Sequence, residues 1–166
     1  MTRRELEITD KNEILQILEK SKVLHLALVD KGMPYIVPMN YGYEMDENGN
    51  LEIYLHGATK GYKLDIIRDN PICCFEIECD VTPFEGKMPC QYGTSYASLI
   101  GRGRIEIINT VNDKIKMLSK FMKSQTGKDF EFNEKLVSIV SIMKITVNEY
   151  SAKRRPLPAT LRGEAE

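Results

Sequence analysis

Residues 51–70, LEIYLHGATKGYKLDIIRDN, constrain the fold more than any other stretch, because the hydrophobic period changes there from that of a strand to that of a helix. Leu51, Ile53 and Leu55 fall on one face of an extended segment and Glu52, Tyr54 and His56 on the other, the pattern of a half-buried strand. Leu64, Ile66 and Ile67 then begin a helical stripe. Joining the two needs a backbone that turns sharply, and Gly57-Ala58-Thr59-Lys60-Gly61 supplies two glycines for it. With Lys60 and Lys63 close by, this turn also gathers backbone N–H groups and ammonium groups at a helix N-terminus, a place that can hold a phosphate. An ordinary solvated turn uses the same residue types, and the stretch alone is compatible with either.

The segments before it predict a helix and a hairpin. Asp10 followed by Glu13 is a capping-box pattern, and Ile14, Leu15, Ile17 and Leu18 form the apolar face of a first helix ending at Ser21. KVLHLALVD at 22–30 reads as a strand, with His25 expected as a core or interface residue rather than a ligand. Asp30-Lys31-Gly32 turns it into a second strand, Pro34 to Glu44. Pro38 removes one ladder hydrogen bond there, which predicts an edge or a bulge, where main-chain groups can face a ligand instead of a neighbouring strand. Asp46-Glu47-Asn48-Gly49-Asn50 then turns the chain into the strand at 51.

Beyond the central helix, Asn70-Pro71 is a stop signal. A strand follows at 72–79, then a long Pro- and Gly-containing connection at 80–93, then a long strand at 92–108. Gly101 and Gly103 in that strand allow a close approach or a sharp bend. Asn109 or Thr110 caps a helix running to Gly127, buried through Ile115, Leu118, Phe121 and Met122; a short helical turn is expected at 133–138 and a closing strand at 140–150. The reading is one domain over residues 1–152 and an extended or disordered tail over 153–166, with Lys153-Arg154-Arg155 solvated.

Composition narrows the function. The chain has 166 residues, enough to bury a core without staples, and 23 basic against 24 acidic residues. Without a basic stripe, no nucleic-acid partner and no membrane association are expected. The charged first residues, and the lack of any apolar run near the roughly 18 residues of a spanning helix, lead us to expect a soluble, cytoplasmic protein. Four cysteines, at 73, 74, 79 and 90, are expected as free thiols, and no metal site is expected. Cys73 and Cys74 are neighbours in a strand and point to opposite faces.

This element order suggests a mainly β protein with capping helices, built as a six- or seven-stranded antiparallel barrel. Three segments, LALVDKGMPYIVPMNYGYE at 26–44, YLHGATKGYKLDIIRDNP at 54–71 and YASLIGRGRIEII at 96–108, resemble the FMN-binding split β-barrel family of pyridoxamine 5'-phosphate oxidase-like proteins. Its nitroimidazole-resistance (Nim-type) subgroup is the nearer match. The resemblance implies a homodimer holding FMN at the subunit interface, and an FMN-dependent oxidoreductase reducing a small organic molecule such as a nitroaromatic. It implies that Val37, Pro38, Met39 and Asn40 contact the flavin ring largely through backbone, and that His56 and Gly57 meet the flavin at the strand end. Tyr62 and Lys63 match the pair near the phosphate, Tyr62 standing where the oxidases usually place Arg, with Lys60 as a further cation. Tyr96 and Ser98 would come from the partner subunit. His56 is the catalytic candidate, as proton donor or as a positioning group. Related barrels also accept a deazaflavin or haem, so a flavin or haem carrier, with His25 or His56 as axial ligand, is the alternative reading.

Overall fold

Alternating burial defines the strands of the computed structural model, which describes residues 4–159. In β2 (Val23–Asp30) Leu24, Leu26 and Leu28 are buried, while Val23, His25 and Val29 are exposed. Lys31 and Gly32, both at positive φ (48° and 87°), turn the chain into β3 (Met33–Met45). The Asp46 carboxylate accepts from the main-chain N–H groups of Asn48 and Asn50 and closes the next turn, into β4 (Leu51–Gly57). After these come β5 (Ile72–Phe84), β6 (Gly93–Ile108) and β7 (Ser141–Arg155). A two-residue β1 (Glu7–Ile8), not foreseen, lies against β7 at Lys153 and Ala152.

All pairings are antiparallel, in the order β1-β7-β4-β3-β2-β5-β6, and β6 pairs again with β7 to close six strands into a barrel. Two seams are short. β2 meets β5 only between residues 25–27 and 74–76, and β3 meets β4 only between 41–45 and 51–55. Residues 33–40 of β3 therefore pair with β2 alone among the described residues. Pro38 lies in this open half, as an edge strand allows, and the β2–β3 register runs without a bulge.

Helices close the barrel. In α1 (Lys11–Lys20) the Asp10 side chain accepts from the Glu13 N–H, and Ile14, Ile17 and Leu18 enter the core. α2 (Tyr62–Asp69) contributes Leu64, Ile66 and Ile67 to the same core, beside Leu26, Ile53, Phe75, Leu99 and Ile145. α3 (Val111–Thr126) and the short α4 (Glu134–Ser138) form a second cluster outside the barrel, where Leu118, Phe121 and Val137 pack on Tyr54, Ile108 and Ile142.

Three expectations need correction and a fourth is narrowed. β5 does not stop at Cys79: an irregularity between Cys79 and Thr82, with Asp80 at φ 56°, lets it resume pairing with β6 as far as Phe84, so the connection shrinks to residues 85–92. β7 runs past residue 152, because β6 continues to pair with it as far as Arg155. Arg154 in that extension is not merely solvated, since it bonds Asp80 at 3.0 Å and approaches Glu13 at 3.5 Å. Of the two places expected for His25, core or interface, the core is excluded, since it lies on the outer sheet face beside Glu76, 3.2 Å away. The rest of the expected tail, from residue 160, lies outside the described residues.

Both glycines of β6 are sterically required. A Cβ on Gly101 would lie 2.3 Å from the Phe75 ring, and one on Gly103 2.2 Å from the Thr146 carbonyl oxygen, next to a register shift against β7. Among the described residues no helix is long and apolar enough to cross a membrane.

Candidate functional site

β4 carries the site to its end. Gly57 is its last residue, and Lys63, in the first turn of α2, folds back over it: the ammonium lies 3.3 Å from where a Gly57 Cβ would stand. Any side chain at 57 would displace that lysine. Gly61 caps α2 at φ 144° without a side-chain bond, and its carbonyl accepts from Leu64 and Asp65. The N–H groups of Tyr62 and Lys63 therefore have no helical carbonyl to bond. Neither Lys60 nor Lys63 forms an ion pair among the described residues. One small turn and the first turn of α2 thus carry two cations without an ion pair among the described residues and two free donors.

Tyr62 is committed elsewhere. Its hydroxyl donates to Asp30 Oδ2 at 2.6 Å and its ring stands edge-on to Tyr35, with centroids 5.2 Å apart. These contacts fasten the start of α2 to the β2–β3 hairpin. Along that half Val37 is partly buried and Met39 buried with the core, whereas Pro38 and Asn40 are exposed. Asn40 donates to the Lys22 carbonyl at 2.9 Å. Met39 thus points its side chain inward and leaves only main chain at the edge.

His56 lies on the outer face of β4, under α3, with its ring edge-on to Phe121 at 4.6 Å and 87°. Burial, and then the charge of Lys63, hold its pKa below the ordinary imidazole value. It is therefore neutral at pH 7, with one ring nitrogen to donate and one to accept. Beside it, the Tyr54 hydroxyl lies 2.9 Å from a Glu44 oxygen and 2.8 Å from a Glu52 oxygen, with one proton to share between them. Lys120 of α3 pairs with Glu44 and sits over the Tyr54 ring, while Lys144 lies 3.1 Å from Glu106 and 3.5 Å from Glu52. This network ties α3 to the sheet next to His56.

Tyr96 and Ser98 do not join this group within one chain. Both are half-buried on β6, facing Arg155 and Lys153 of β7, while Gly57 faces Ser141 at the other end of β7. Between Ser141 and Arg155 lies roughly 45 Å of extended chain. The candidates thus fall into two groups, at opposite ends of one strand. Phe121 was readable as a buried helix residue, but nothing local marked it as the neighbour of His56. Asp30, the partner of Tyr62, carried no signal beyond its place in a turn. The cysteines stay free: Cys73 is buried, its thiol pushed up to about 12 mainly by burial, and Cys90 is exposed. No group of three or more His, Cys, Asp or Glu suited to a metal occurs among the described residues.

The sequence matches the family described as pyridoxamine 5'-phosphate oxidase over residues 10–154. Among solved structures, a candidate 5-nitroimidazole antibiotic resistance protein from Bacteroides thetaiotaomicron is 27% identical, with a TM-score of 0.76 over 90% of this chain and 86% of that one. A flavocytochrome from Azotobacter vinelandii is 18% identical, with a TM-score of 0.78 over 95% of this chain and 73% of that one. An FAD and heme binding protein from Mycobacterium smegmatis is 17% identical, with a TM-score of 0.74 over 93% and 77%. The last two likenesses are likenesses of fold. No curated protein matches the sequence.

Proposed function

This chain belongs to the pyridoxamine 5'-phosphate oxidase family and has the split-barrel fold, and from that premise we propose that it is a flavin-dependent oxidoreductase. It holds FMN in a groove between two copies of the chain and reduces a small organic acceptor, such as a nitroaromatic compound. One observation carries the reading: the Lys63 ammonium lies over Gly57 with no carboxylate partner among the described residues.

The residues present fit that cofactor. Lys63, Lys60 and the free N–H groups at the start of α2 suit a phosphate dianion. The unpaired edge of residues 33–40 offers N–H and C=O groups to the rim of a flat polar ring. When bound, FMN supplies the hydride chemistry. The protein's own part is to bind, orient and exclude water. His56, neutral at pH 7, positions the ring or the acceptor through a hydrogen bond rather than serving as a standing acid.

A second copy supplies what one chain separates. Tyr96 and Ser98 reach a partner's His56 and Lys63 only across a subunit boundary. The outer sheet face carries Val23, Val29, Ile36, Ile72 and Ile100 exposed, an apolar surface that a homodimer would cover.

The visible spectrum of the purified protein, before and after adding FMN and removing the excess, tests the reading. Retained flavin bands that disappear in Lys63→Ala support it, and reduction of a nitroaromatic by the loaded protein then tests turnover. A flavin that binds without turnover reduces the reading to a carrier. A Soret band lost on replacing His25 or His56 makes haem the cofactor, and a protein retaining only a deazaflavin corrects the flavin. No retained chromophore rejects a cofactor site.

A further inference from the structure

β3 changes partners at one place. Up to Asn40 it lies against β2, whose first residue, Val23, stands opposite; from Tyr41 onward it lies against β4. Resting on the flavin reading above, we propose that Gln125, in the last turn of α3, is a positioning residue for the flavin. It fixes the point where β3 parts from β2, and so sets the place of Asn40 and of the main-chain edge that ends there.

The main-chain groups of successive residues in a strand point to alternate edges. Beyond Asn40 the side of β3 that faced β2 has lost its strand, and the groups pointing there need other partners. α3 provides them. The Gln125 side-chain amide donates to the Tyr41 carbonyl at 2.6 Å, and the Tyr43 N–H donates to the Ser124 hydroxyl at 3.3 Å. Asn40, next to Tyr41, therefore directs its own N–H and C=O to the opposite edge, the one left open along residues 33–40.

Gln125 also closes a bridge. Its amide donates to the Lys22 carbonyl at 3.2 Å, the same oxygen that accepts from the Asn40 side chain at 2.9 Å, and the Lys22 ammonium returns a bond to the Ser124 carbonyl at 3.0 Å. One half-buried residue thus joins the start of β2, the parting point of β3 and the end of α3. Phe121 lies one helical turn earlier on the same face, and packs edge-on to His56. A single turn of α3 therefore sets His56 through one residue and the end of the open edge through another. Lys60 and Lys63 take no part in these bonds, so alignment of the ring is separable from capture of the phosphate.

Gln125→Met keeps the length of the side chain and removes both donors; Gln125→Glu, which cannot donate when ionised, is the second variant and should act in the same direction. In the unloaded chain each should move the Asn40 side-chain and Met39 amide NMR signals. In the FMN-loaded protein each should displace the visible flavin bands and the reduction potential, and lower kcat for a nitroaromatic roughly tenfold, with FMN affinity within about threefold of the unmodified protein. Asn40→Ala cuts the same bridge from its other end and should give the same changes, the double variant adding little. Lys123→Gln, in the same turn but paired with Asp129, should alter none of them. Additive effects in the double variant, or equal changes in Lys123→Gln, would overturn the proposal. FMN retained with unmoved bands and potential in both Gln125 variants overturns this inference alone, whereas an unmodified protein that retains no FMN overturns the flavin reading with it.

Discussion

A Cβ on Gly42 would lie 2.4 Å from the Cα of Phe121, so α3 rests directly on the main chain of β3. The contact sets the height of α3 above the sheet and, through Phe121, the space left for His56. Gly42→Ala forces backbone against backbone, which no rotamer change relieves. It should destabilise the protein by about 1–3 kcal/mol, read as a lower urea midpoint at constant m-value, and should move the His56 ring signals. An unchanged midpoint would mean that α3 shifts without cost.

The acid limb of stability should contain a contribution from His56. Its folded pKa is held down by burial and by Lys63, so the folded state resists taking up the proton that the unfolded chain accepts. The contribution is fully present above the unfolded value of about 6.5 and is lost as pH falls through the folded pKa. His56→Gln should flatten that part of the stability-against-pH curve, measured by urea unfolding from neutral pH downward. Because the chain has 2 histidines, the imidazole signal missing from the variant is that of His56, and its titration can be followed directly. A His56 signal titrating above the ordinary range would contradict the arrangement.

Lys63→Ala should weaken FMN binding roughly tenfold or more, because a charge-assisted bond to phosphate is lost. Stability should move by no more than about 0.5 kcal/mol, since the ammonium has no ion-pair partner among the described residues to leave behind. Tyr62→Phe should behave in the opposite sense, losing the bond to Asp30 and some fixation of α2 while retaining the cation. Fluorescence titration of FMN and denaturant unfolding separate the two.

Ile36→Asp puts a charge on the exposed apolar sheet face, where Ile36 is 63% accessible in the single chain. A dimer that covers this face should dissociate, shifting the mass measured by light scattering at fixed concentration and releasing FMN in parallel. A monomeric variant that keeps FMN at full affinity would refute a shared groove.

What could be read in the chain was what depends on near neighbours. The alternation of β4, the stripe of α2 and the Asp10 cap each involve residues a few positions apart, and each is present as expected. The path of β5 after Cys79 was hidden, because Asp-Val-Thr-Pro-Phe looks like a loop until residues 93–95 of β6 pair with it. β7 beyond Tyr150 was hidden for the same reason: its polar sequence is held by β6 and by an ion pair to Asp80, 74 residues away. The sequence left His25 between core and interface, because the apolar residues around it occupy both faces of β2 and only one face meets the core. Within the site, Lys63 over Gly57 is a short-range contact and was foreseeable in outline. His56 against Phe121 joins residues 65 positions apart, and no local pattern records it.

Strand β7 pairs with β1, β4 and β6, yet it follows all of them in the chain. During synthesis, the edges of β4 and β6 must therefore wait without their partner until residues 141–155 have left the ribosome. Barrel closure is thus a late event, and the growing chain carries two unsatisfied strand edges until β7 is available. The period of greatest exposure to mispairing precedes the arrival of β7, and protection by chaperones matters most in that interval.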